Sequence, residues 1–470
     1  MKLKHLFLTV LVAGTFASCS DDDSLSEPVY QQIETSFSLS TTSNAGLVGK
    51  AATKVDETTT PGADSERKIH TLTAVVFYED GTLATTRTVN EPVQDENFNT
   101  SIDNIIVKVA AVEAGLISET ELKVFLLANV SVPQSALVNY ETFIKSSFTG
   151  ITNCSFDKVM SNGGTENDRQ FIPMSSNELA VSNLIAGTAY NNQVESSGGT
   201  PVYTSNTEGT KGKKLEKDAT GKYVPGTSDY TPSSRIALTR YVARVQLESL
   251  EADFNDNYKD ATFTLKSVSV ANVSNASRFV ENEGSFQSVD YSNDQAFYRG
   301  FPEKIKRADY YLARSTYDKA AFSKDYSSEV LEISGSDKID FVDKTLSTQT
   351  EKPEMAQFYV FEFQNELVTA DQEVELPSTA SKTINTMLII TGQWKNGSID
   401  DERSFRIPIR HDINSQNDYQ VKRNYIYKVH ATLTGEGTNN PDKSMLNAFI
   451  TFQIKVEPWN IIKQDESDVN

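Results

Sequence analysis

The chain offers few side chains that could do chemistry, because its 470 residues include only four His and two Cys. His70, His411 and His430 lie far apart, and none has a Cys or carboxylate at the spacing of a metal site. No Gly-x-Ser-x-Gly nucleophile motif occurs, and Gly435 and Gly437 lack the Lys of a phosphate-binding loop. The sequence therefore predicts no enzyme: no catalytic residue, no metal site and no cofactor.

Cys19 is the exception, because its position suits a covalent modification. A basic start with Lys2 and Lys4 precedes an apolar run, residues 6–16, that has the length of a secretory signal and is too short to span a bilayer. Small residues then lead into Cys19, which resembles a lipobox, where a signal peptidase cuts before Cys and the thiol is acylated. Ordinary signal cleavage beside a free Cys is the alternative. We predict residues 1–18 to be a lipoprotein signal peptide.

The charge of the chain restricts its partners. It has 44 Lys+Arg against 64 Asp+Glu, a formal net charge of −20. This balance argues against binding to nucleic acid or anionic membrane surfaces, which requires clustered basic residues. The acidic run at residues 21–23, directly after Cys19, resembles the export signal of surface lipoproteins in Gram-negative anaerobes.

The elements that must position any functional surface are predicted to be short strands. Residues 30–41 alternate, with Ile33, Phe37 and Leu39 on one face and polar residues on the other. One short helix is predicted at residues 133–145. Many short strands joined by polar turns predict an all-β protein built from β-sandwiches. Further strands are predicted at residues 69–78, 102–109, 122–129, 263–273, 357–363, 386–393, 405–409, 425–433 and 449–456.

A change in composition predicts a domain boundary. Residues 186–233 are rich in Gly, Ser, Thr, Asn and Lys, which is typical either of a long hairpin or of the approach to a boundary. A long apolar alternation begins at Arg235. We therefore predict the boundary near Ser233.

Several segments together resemble a known family. The C-terminal part has Lys422-Arg423-Asn424 followed by YIYKVHATLTG, then GTNNP from Gly437, and a last strand FITFQIKVEPW that ends at Trp459. Earlier segments are RKIHTLTAVVFYEDG from Arg67, LKVFLLANV from Leu122, FIPMSS from Phe171 and RYVARVQL from Arg240. With the N-terminal signal, these resemble the fimbrillin family, the major fimbrial subunits of Gram-negative oral and gut anaerobes.

The resemblance implies two tandem transthyretin-like (Greek-key) β-sandwich domains with short helical insertions. Residues 19–50 would be a propeptide that contains a removable first strand, with Ile33, Phe37 and Leu39. Residues 51–233 would form the N-terminal domain, and residues 234–470 the C-terminal domain with a donor-strand tail. Such subunits polymerise by donor-strand exchange, in which the C-terminal segment of the next subunit fills the groove left by the first strand.

The resemblance also indicates the donor segment. On the last strand one face carries alternating apolar residues, and further apolar residues follow it. The alternative is that this strand is a permanent core strand of the second domain. We expect part of it to be so, with residues 457–462 as the exchanged end and Pro458 as the hinge. The predicted donor residues are Ile450, Phe452, Ile454, Val456, Trp459, Ile461 and Ile462.

Processing requires a cut in the loop after the first strand. The best-known members of the family are cut after Arg, whereas this loop has no Arg before Arg67. Lys50, followed by Ala51, occupies the equivalent place and is the predicted site for a trypsin-like protease. The bond between Arg67 and Lys68 is the second choice.

Two functions therefore remain open at the level of sequence. The first is a structural fimbrial subunit, whose partners are further copies of itself, accessory fimbrial subunits, the protease and, before processing, the outer membrane through a lipid anchor. It would be found at the outer membrane and in the cell-surface fimbrium. The alternative is a non-polymerising surface lipoprotein, such as a fimbrial tip adhesin or a glycan-binding module, although only two Trp could form a sugar-binding platform.

Overall fold

The computed structural model describes residues 32–42, 64–90, 101–112, 122–149, 171–181, 189–192, 203–205, 213–217, 223–229, 236–271, 273–274, 276–280, 297–298, 322–342, 353–362, 386–411, 420–438 and 449–458. Within these residues no helix is long and apolar enough to cross a membrane.

Strands dominate the described chain, which confirms the predicted all-β class. The helix predicted at residues 133–145 is divided in two, because Asn139 has an extended backbone. The Asn139 side chain accepts a hydrogen bond from the Thr142 amide and so caps the second piece. The short helical elements include α1 (Tyr140–Lys145) and the 3-10 turns Asp64–Arg67, Gln134–Leu137 and Asp256–Tyr258.

The first strand, β1 (Gln32–Thr42), lies inside its sheet. On one edge it pairs antiparallel with β4 (Ser101–Val112) along almost its whole length. On the other edge it pairs in parallel with β9 (Ala189–Asn192) and β13 (Ile236–Ala237). The strand predicted at residues 30–41 is therefore confirmed, and so is the one predicted at residues 102–109.

A second sheet covers the N-terminal half. Its central strands, β2 (Thr71–Tyr78) and β5 (Leu122–Ala128), are antiparallel neighbours, and nearly every residue in them is buried. Both faces of these strands are therefore covered, which explains why their sequences are almost continuously apolar. The other members of this sheet are β3 (Leu83–Asn90), β7 (Met174–Ser175), β8 (Leu179–Val181) and β14 (Thr239–Arg240).

The third large sheet belongs to the C-terminal half. Its strand β15 (Val242–Ala252) runs parallel to β26 (Tyr425–Leu433), which in turn pairs antiparallel with β27 (Ile450–Pro458). The opposite edge of β15 pairs with β22 (Lys338–Asp340) and β23 (Gln357–Phe361). In the described part of the chain, β27 is the edge strand of this sheet.

A fourth sheet contributes to the same hydrophobic core. It joins β16 (Thr262–Ala271) to β24 (Met387–Asn396) and β25 (Ile399–Pro408). The β24–β25 hairpin turns through Gly397, whose φ of +60° suits glycine. Two short strands complete this sheet, β20 (Ser323–Asp325) and β21 (Glu332–Ser334).

The described chain also forms three smaller sheets. A three-stranded meander lies within residues 186–233, the segment predicted to be either a hairpin or the approach to a boundary. Its strands are β10 (Tyr203–Ser205), β11 (Lys213–Lys217) and β12 (Tyr223–Asp229). The two-stranded pairs are β6 (Ser147–Thr149) with β18 (Ala276–Arg278), and β17 (Val273–Ser274) with β19 (Phe297–Tyr298).

One continuous segment contributes strands to three different sheets in turn. β13 pairs with β1, β14 with β7, and β15 with strands of the C-terminal half. The pairing partners therefore change between Arg240 and Val242. The domain boundary near Ser233 stays a prediction.

Candidate functional site

The strand β1 is held by backbone pairing on both of its edges. In the backbone register, Ile33, Phe37 and Leu39 pair with Ala111, Val107 and Ile105 of β4, so apolar positions are matched with apolar positions. On the other edge, residues 36–39 pair with residues 189–192, and Thr41 and Thr42 pair with β13. If β1 left, two rows of backbone N–H and C=O groups would lose their partners.

The strand β27 is held on one edge in the described chain. It pairs with β26 along its whole length, from Ile450 opposite Leu433 to Pro458 opposite Tyr425. The face predicted to be apolar is turned toward the core. Ile450 is 8% exposed and Ile454 is 2% exposed. Phe452 and Val456 are partly buried and pack against the same core. The alternating residues Thr451, Gln453 and Lys455 are exposed.

The chain enters β27 through a strained residue. Phe449 has a φ of +56°, a value that bulky side chains rarely adopt. Its ring lies against Gly435, where an added Cβ would come within 2.6 Å of it, and forms an edge contact with Tyr258 at 5.4 Å. Its carbonyl accepts a hydrogen bond from the Thr434 amide at 2.8 Å. The surroundings of Phe449 therefore fix the start of β27.

A buried carboxylate ties the N-terminal segment to the C-terminal half. The side chain of Glu66, in the 3-10 turn before β2, is completely buried. One of its carboxylate oxygens accepts hydrogen bonds from Arg244 Nη1 at 2.7 Å and from the Tyr359 hydroxyl at 2.8 Å. Its backbone carbonyl accepts from Arg240 Nε at 3.1 Å. Burial lowers the pKa of Arg240 to about 10, an effect that the charge of Glu66 partly offsets.

Asn129 holds the residues that follow Glu66. Its side-chain amide donates to the carbonyls of Lys68 and Ile172 at 2.9 and 2.8 Å. Its side-chain oxygen accepts from the amides of His70 and Thr71 at 2.8 and 3.3 Å. Asn129 itself has a φ of +58°, which Asn tolerates better than most residues.

A second buried ion pair lies at the same junction between the two halves. Arg423 donates to both carboxylate oxygens of Glu362 and to the Ser277 hydroxyl. The Arg423 guanidinium also lies 4.7 Å from the centre of the Tyr241 ring. Burial raises the pKa of the Tyr241 hydroxyl, which donates to the Phe279 carbonyl at 2.7 Å. This pair does not involve the segment that contains Glu66.

The remaining predicted site residues are distributed as follows. Arg67 and Lys68 lie in described structure, directly beside Glu66 and the Asn129 contact. The other predicted positions fall outside the described residues. They are Cys19, Lys50, Ala51, Trp459, Ile461 and Ile462.

The three histidines considered from the sequence lie in different surroundings. His70 stacks on Phe171 at 5.1 Å, and His411 lies edge-on to Tyr425 at 4.6 Å. His430 Nδ1 is 3.0 Å from the Ser249 hydroxyl, and its Nε2 is 3.4 Å from a Glu248 carboxylate oxygen. Among the described residues no group of three or more His, Cys, Asp or Glu side chains could hold a metal.

Sequence reasoning missed the cluster of Glu66, Arg240 and Arg244. Two Arg within an apolar strand are a usable signal, because a charged residue is rarely buried unless it is paired. The sequence could not identify the acid, however, since Glu66 and Arg244 are 178 residues apart.

Comparison with known proteins places this geometry in context. Residues 36–222 match the family of the major fimbrial subunit protein FimA. No curated protein sequence matches the chain significantly.

Two solved structures are similar in fold over nearly the whole chain. A candidate cell adhesion protein from Parabacteroides distasonis ATCC 8503 is 18% identical with a TM-score of 0.54, and the alignment covers 92% of this chain and 100% of that one. A fimbrilin from Porphyromonas gingivalis W83 is 14% identical with a TM-score of 0.53, covering 92% and 99%. At these identities the likeness concerns the fold.

Proposed function

Since residues 36–222 match the model of the major fimbrial subunit family, we propose that this protein is a structural subunit of a cell-surface fimbria that polymerises by donor-strand exchange and supports adhesion. The observation that carries the proposal is the position of β1. It is the first described strand in the chain, yet it lies between β4 on one side and β9 and β13 on the other.

This position means that a strand from another subunit could take the place of β1 in the sheet. The strands on its two sides come from later parts of the chain, so its loss leaves a groove flanked by two rows of unpaired backbone groups. Such edges bind another strand readily, because main-chain hydrogen bonds supply affinity and alternate side chains set the register. A strand from a second subunit satisfies both requirements.

The C-terminal end supplies a segment with a matching pattern. In β1 the apolar residues Ile33, Phe37 and Leu39 are separated by two or four positions, so they belong to one face of the alternating pattern. In β27 four apolar residues, at every second position from Ile450 to Val456, follow the same pattern. Both strands have polar residues at the alternate positions, so either can present one apolar face to a groove. Because Ile450 and Ile454 are buried in their own sheet, exchange of β27 itself requires it to leave β26. The residues after it, which include Trp459, Ile461 and Ile462, are the segment expected from the sequence to be exchanged.

A donor from one subunit and a groove in the next make a head-to-tail contact. Such a contact does not close on itself, so the product is a filament. The subunit reaches the outer membrane as a lipoprotein through Cys19 and enters the fimbrium after a trypsin-like protease cuts after Lys50. Residues 51–470 then remain in the polymer, together with accessory fimbrial subunits. The role is structural and involves no enzymatic reaction.

One of the two Trp that could support the glycan-binding alternative is not accessible to a sugar. Trp394 is fully buried between Phe254 and Tyr258, with ring centroids 5.1 and 5.7 Å away, so it offers no exposed platform to a sugar. No observation on the described residues favours this alternative.

Limited trypsin digestion followed by electron microscopy and gel ladders that resist boiling tests the proposal. Four chains are compared: the full chain, one that ends at Pro458 and keeps all of β27, one with Lys50→Gln, and one with Lys54→Gln as the matched control. The full chain and the Lys54→Gln chain should form filaments of subunits that begin at Ala51, whereas the Lys50→Gln chain should lack subunits with this N-terminus. Failure of the full chain to polymerise after β1 is released would show that the proposal is wrong.

The chain that ends at Pro458 identifies the donor. If it stays monomeric after cleavage, the donor is the segment after Pro458. If it still polymerises, β27 is the donor. A double variant, Ile461→Ser with Ile462→Ser, keeps the chain length and should reproduce the truncation in the first case.

A further inference from the structure

The bond between Arg67 and Lys68 lies between two fixed points. On its N-terminal side, Glu66 is anchored through its carboxylate to Arg244 and Tyr359, and through its backbone carbonyl to Arg240. All three partners belong to strands β14, β15 and β23, which are remote in sequence. The Glu66 and Arg244 side chains are 0% and 1% exposed.

On the C-terminal side, the Asn129 side chain makes three hydrogen bonds to the backbone of residues 68–71 and a fourth to the Ile172 carbonyl. Two of these fix the Lys68 carbonyl and the His70 amide directly. Between them Ile69 is fully buried in the core. The residues on both sides of the bond are thus bound to the folded body of the protein.

We propose that Glu66 and Asn129 form a clamp that protects the Arg67–Lys68 bond from trypsin-like proteases, so that processing must occur upstream of Asp64. The inference rests on the proposed function in one respect: it specifies where the cut that releases β1 is allowed. It also assigns a second role to Glu66, which keeps the segment Asp64–Arg67 attached to β15 and β23 after an upstream cut.

The physical basis is the conformation that a protease needs. Proteases cut segments that can open locally, and sites in packed, hydrogen-bonded structure are cut only through an open state. Here the residues before the bond form a 3-10 turn, and an extended conformation requires Glu66 to leave its pocket. That step separates a buried carboxylate from Arg244, and removing one partner of a buried ion pair is among the most costly changes a fold can undergo.

With the clamp in place, a basic residue on each side of this bond is not sufficient for cleavage by a trypsin-like protease. Arg67 has the side chain that such a protease prefers, but it is half-buried and its neighbour Glu66 is completely buried. Loop positions without these contacts are the preferred places for nicking.

The test is a time course of mild trypsin digestion of the full chain, read by N-terminal sequencing and intact mass. In the unaltered protein, new N-termini should appear upstream of Asp64, and none should appear at Lys68 while the protein is folded. In Glu66→Gln, the Lys68 N-terminus should appear roughly tenfold faster or more, relative to cleavage at all other bonds.

Matched controls separate the clamp from general loss of stability. Glu362→Gln breaks the other buried ion pair of the same junction, with Arg423, and should leave Arg67–Lys68 protected. Glu79→Gln changes an exposed acid and should have no effect. Since Glu66→Gln could unfold the protein, Asn129→Asp is the second variant. It keeps the acceptor for His70 and loses the donor to Lys68, and it should expose the same bond several-fold.

Two outcomes would overturn the clamp. One is rapid appearance of the Lys68 N-terminus in the folded, unaltered protein. The other is equal release in Glu66→Gln and Glu362→Gln. Neither outcome depends on polymerisation. A protected bond in a protein that never polymerises refutes the proposed function alone, whereas filaments from subunits that begin at Lys68 refute the clamp alone.

Discussion

The first and the last described strands of the chain differ in the number of neighbouring strands that hold them. β1 has pairing partners on both edges, whereas β27 pairs only with β26 in the described chain. Leaving a sheet therefore breaks two ladders for β1 and one for β27. Under the proposed donor-strand exchange, β1 is therefore expected to leave only after the chain is cut, whereas a C-terminal segment can be released at a smaller cost in stability.

The same difference explains how each strand is secured. β1 is held by a long series of backbone pairs, since its pairing with β4 extends from Gln32 to Thr42. β27 relies on side-chain burial at Ile450 and Ile454 and on the fixed entry at Phe449. The following predictions test this contrast.

The largest effect is expected when β1 is absent. A chain that begins at Ala51 should lose about 5–10 kcal/mol of unfolding free energy as a monomer, because backbone groups on both sides of the groove lose their partners. Urea denaturation of the monomeric fraction measures this loss. A synthetic peptide of residues 31–42 should restore stability, and a peptide of scrambled order should not. An unchanged midpoint without the peptide would contradict the central position of β1.

Removal of β27 should lower the unfolding free energy by less than removal of β1. A chain that ends at Phe449 loses one ladder and the burial of Ile450 and Ile454, which together stabilise the fold by about 3–6 kcal/mol. A chain that ends at Pro458 keeps those contacts and should have the same urea midpoint as the full chain. If the chain ending at Phe449 were as stable as the one ending at Pro458, β27 would not be a structural edge strand.

Truncation of a single buried side chain of β27 should lower the unfolding free energy by a smaller amount than removal of the whole strand. Ile454→Ala should lower the unfolding free energy by about 2–4 kcal/mol, because Ile454 is 2% exposed and its removal leaves a cavity. Gln453→Ala, at the exposed neighbouring position, is the control and should change stability by less than about 0.5 kcal/mol. Equal effects at the two positions would mean that the strand does not present one face to the core.

The smallest effect concerns the entry to β27. Gly435→Ala places a methyl group within 2.6 Å of the Phe449 ring and should cost about 1–3 kcal/mol. In the double variant with Phe449→Gly, which removes both the ring and the Cβ that the added methyl group would meet at 2.8 Å, the clash is absent. The two changes together should therefore cost less than their sum, as a thermal double-mutant cycle would show. Strict additivity would exclude the contact between the ring and Gly435.

Local patterns in the sequence predicted much of the fold. The alternation at residues 425–433 corresponds to β26 without a shift, and the apolar run at residues 122–129 corresponds to β5. These predictions succeeded because the alternation of apolar and polar residues within one segment indicates which of its positions are buried. The helix at residues 133–145 was divided because the extended backbone at Asn139 interrupts it.

The candidate site was less accessible to sequence reasoning. The apolar faces of β1 and β27 could be predicted from alternation, but their numbers of neighbours could not, since pairing joins segments far apart in the chain. Glu66 was missed for the same reason. Its partners Arg244 and Tyr359 lie 178 and 293 residues away, so no local pattern connects them.

The sequence alone was enough to infer the all-β class, the alternation of polar and apolar residues in the two end strands and the position of Cys19 after an apolar run. The fold was needed to learn that β1 is enclosed on both edges, that β27 is an edge strand within the described chain, and that Glu66 joins the N-terminal segment to β15. The physical reason is that a face depends on neighbours in sequence, whereas an edge and a buried ion pair depend on neighbours in space.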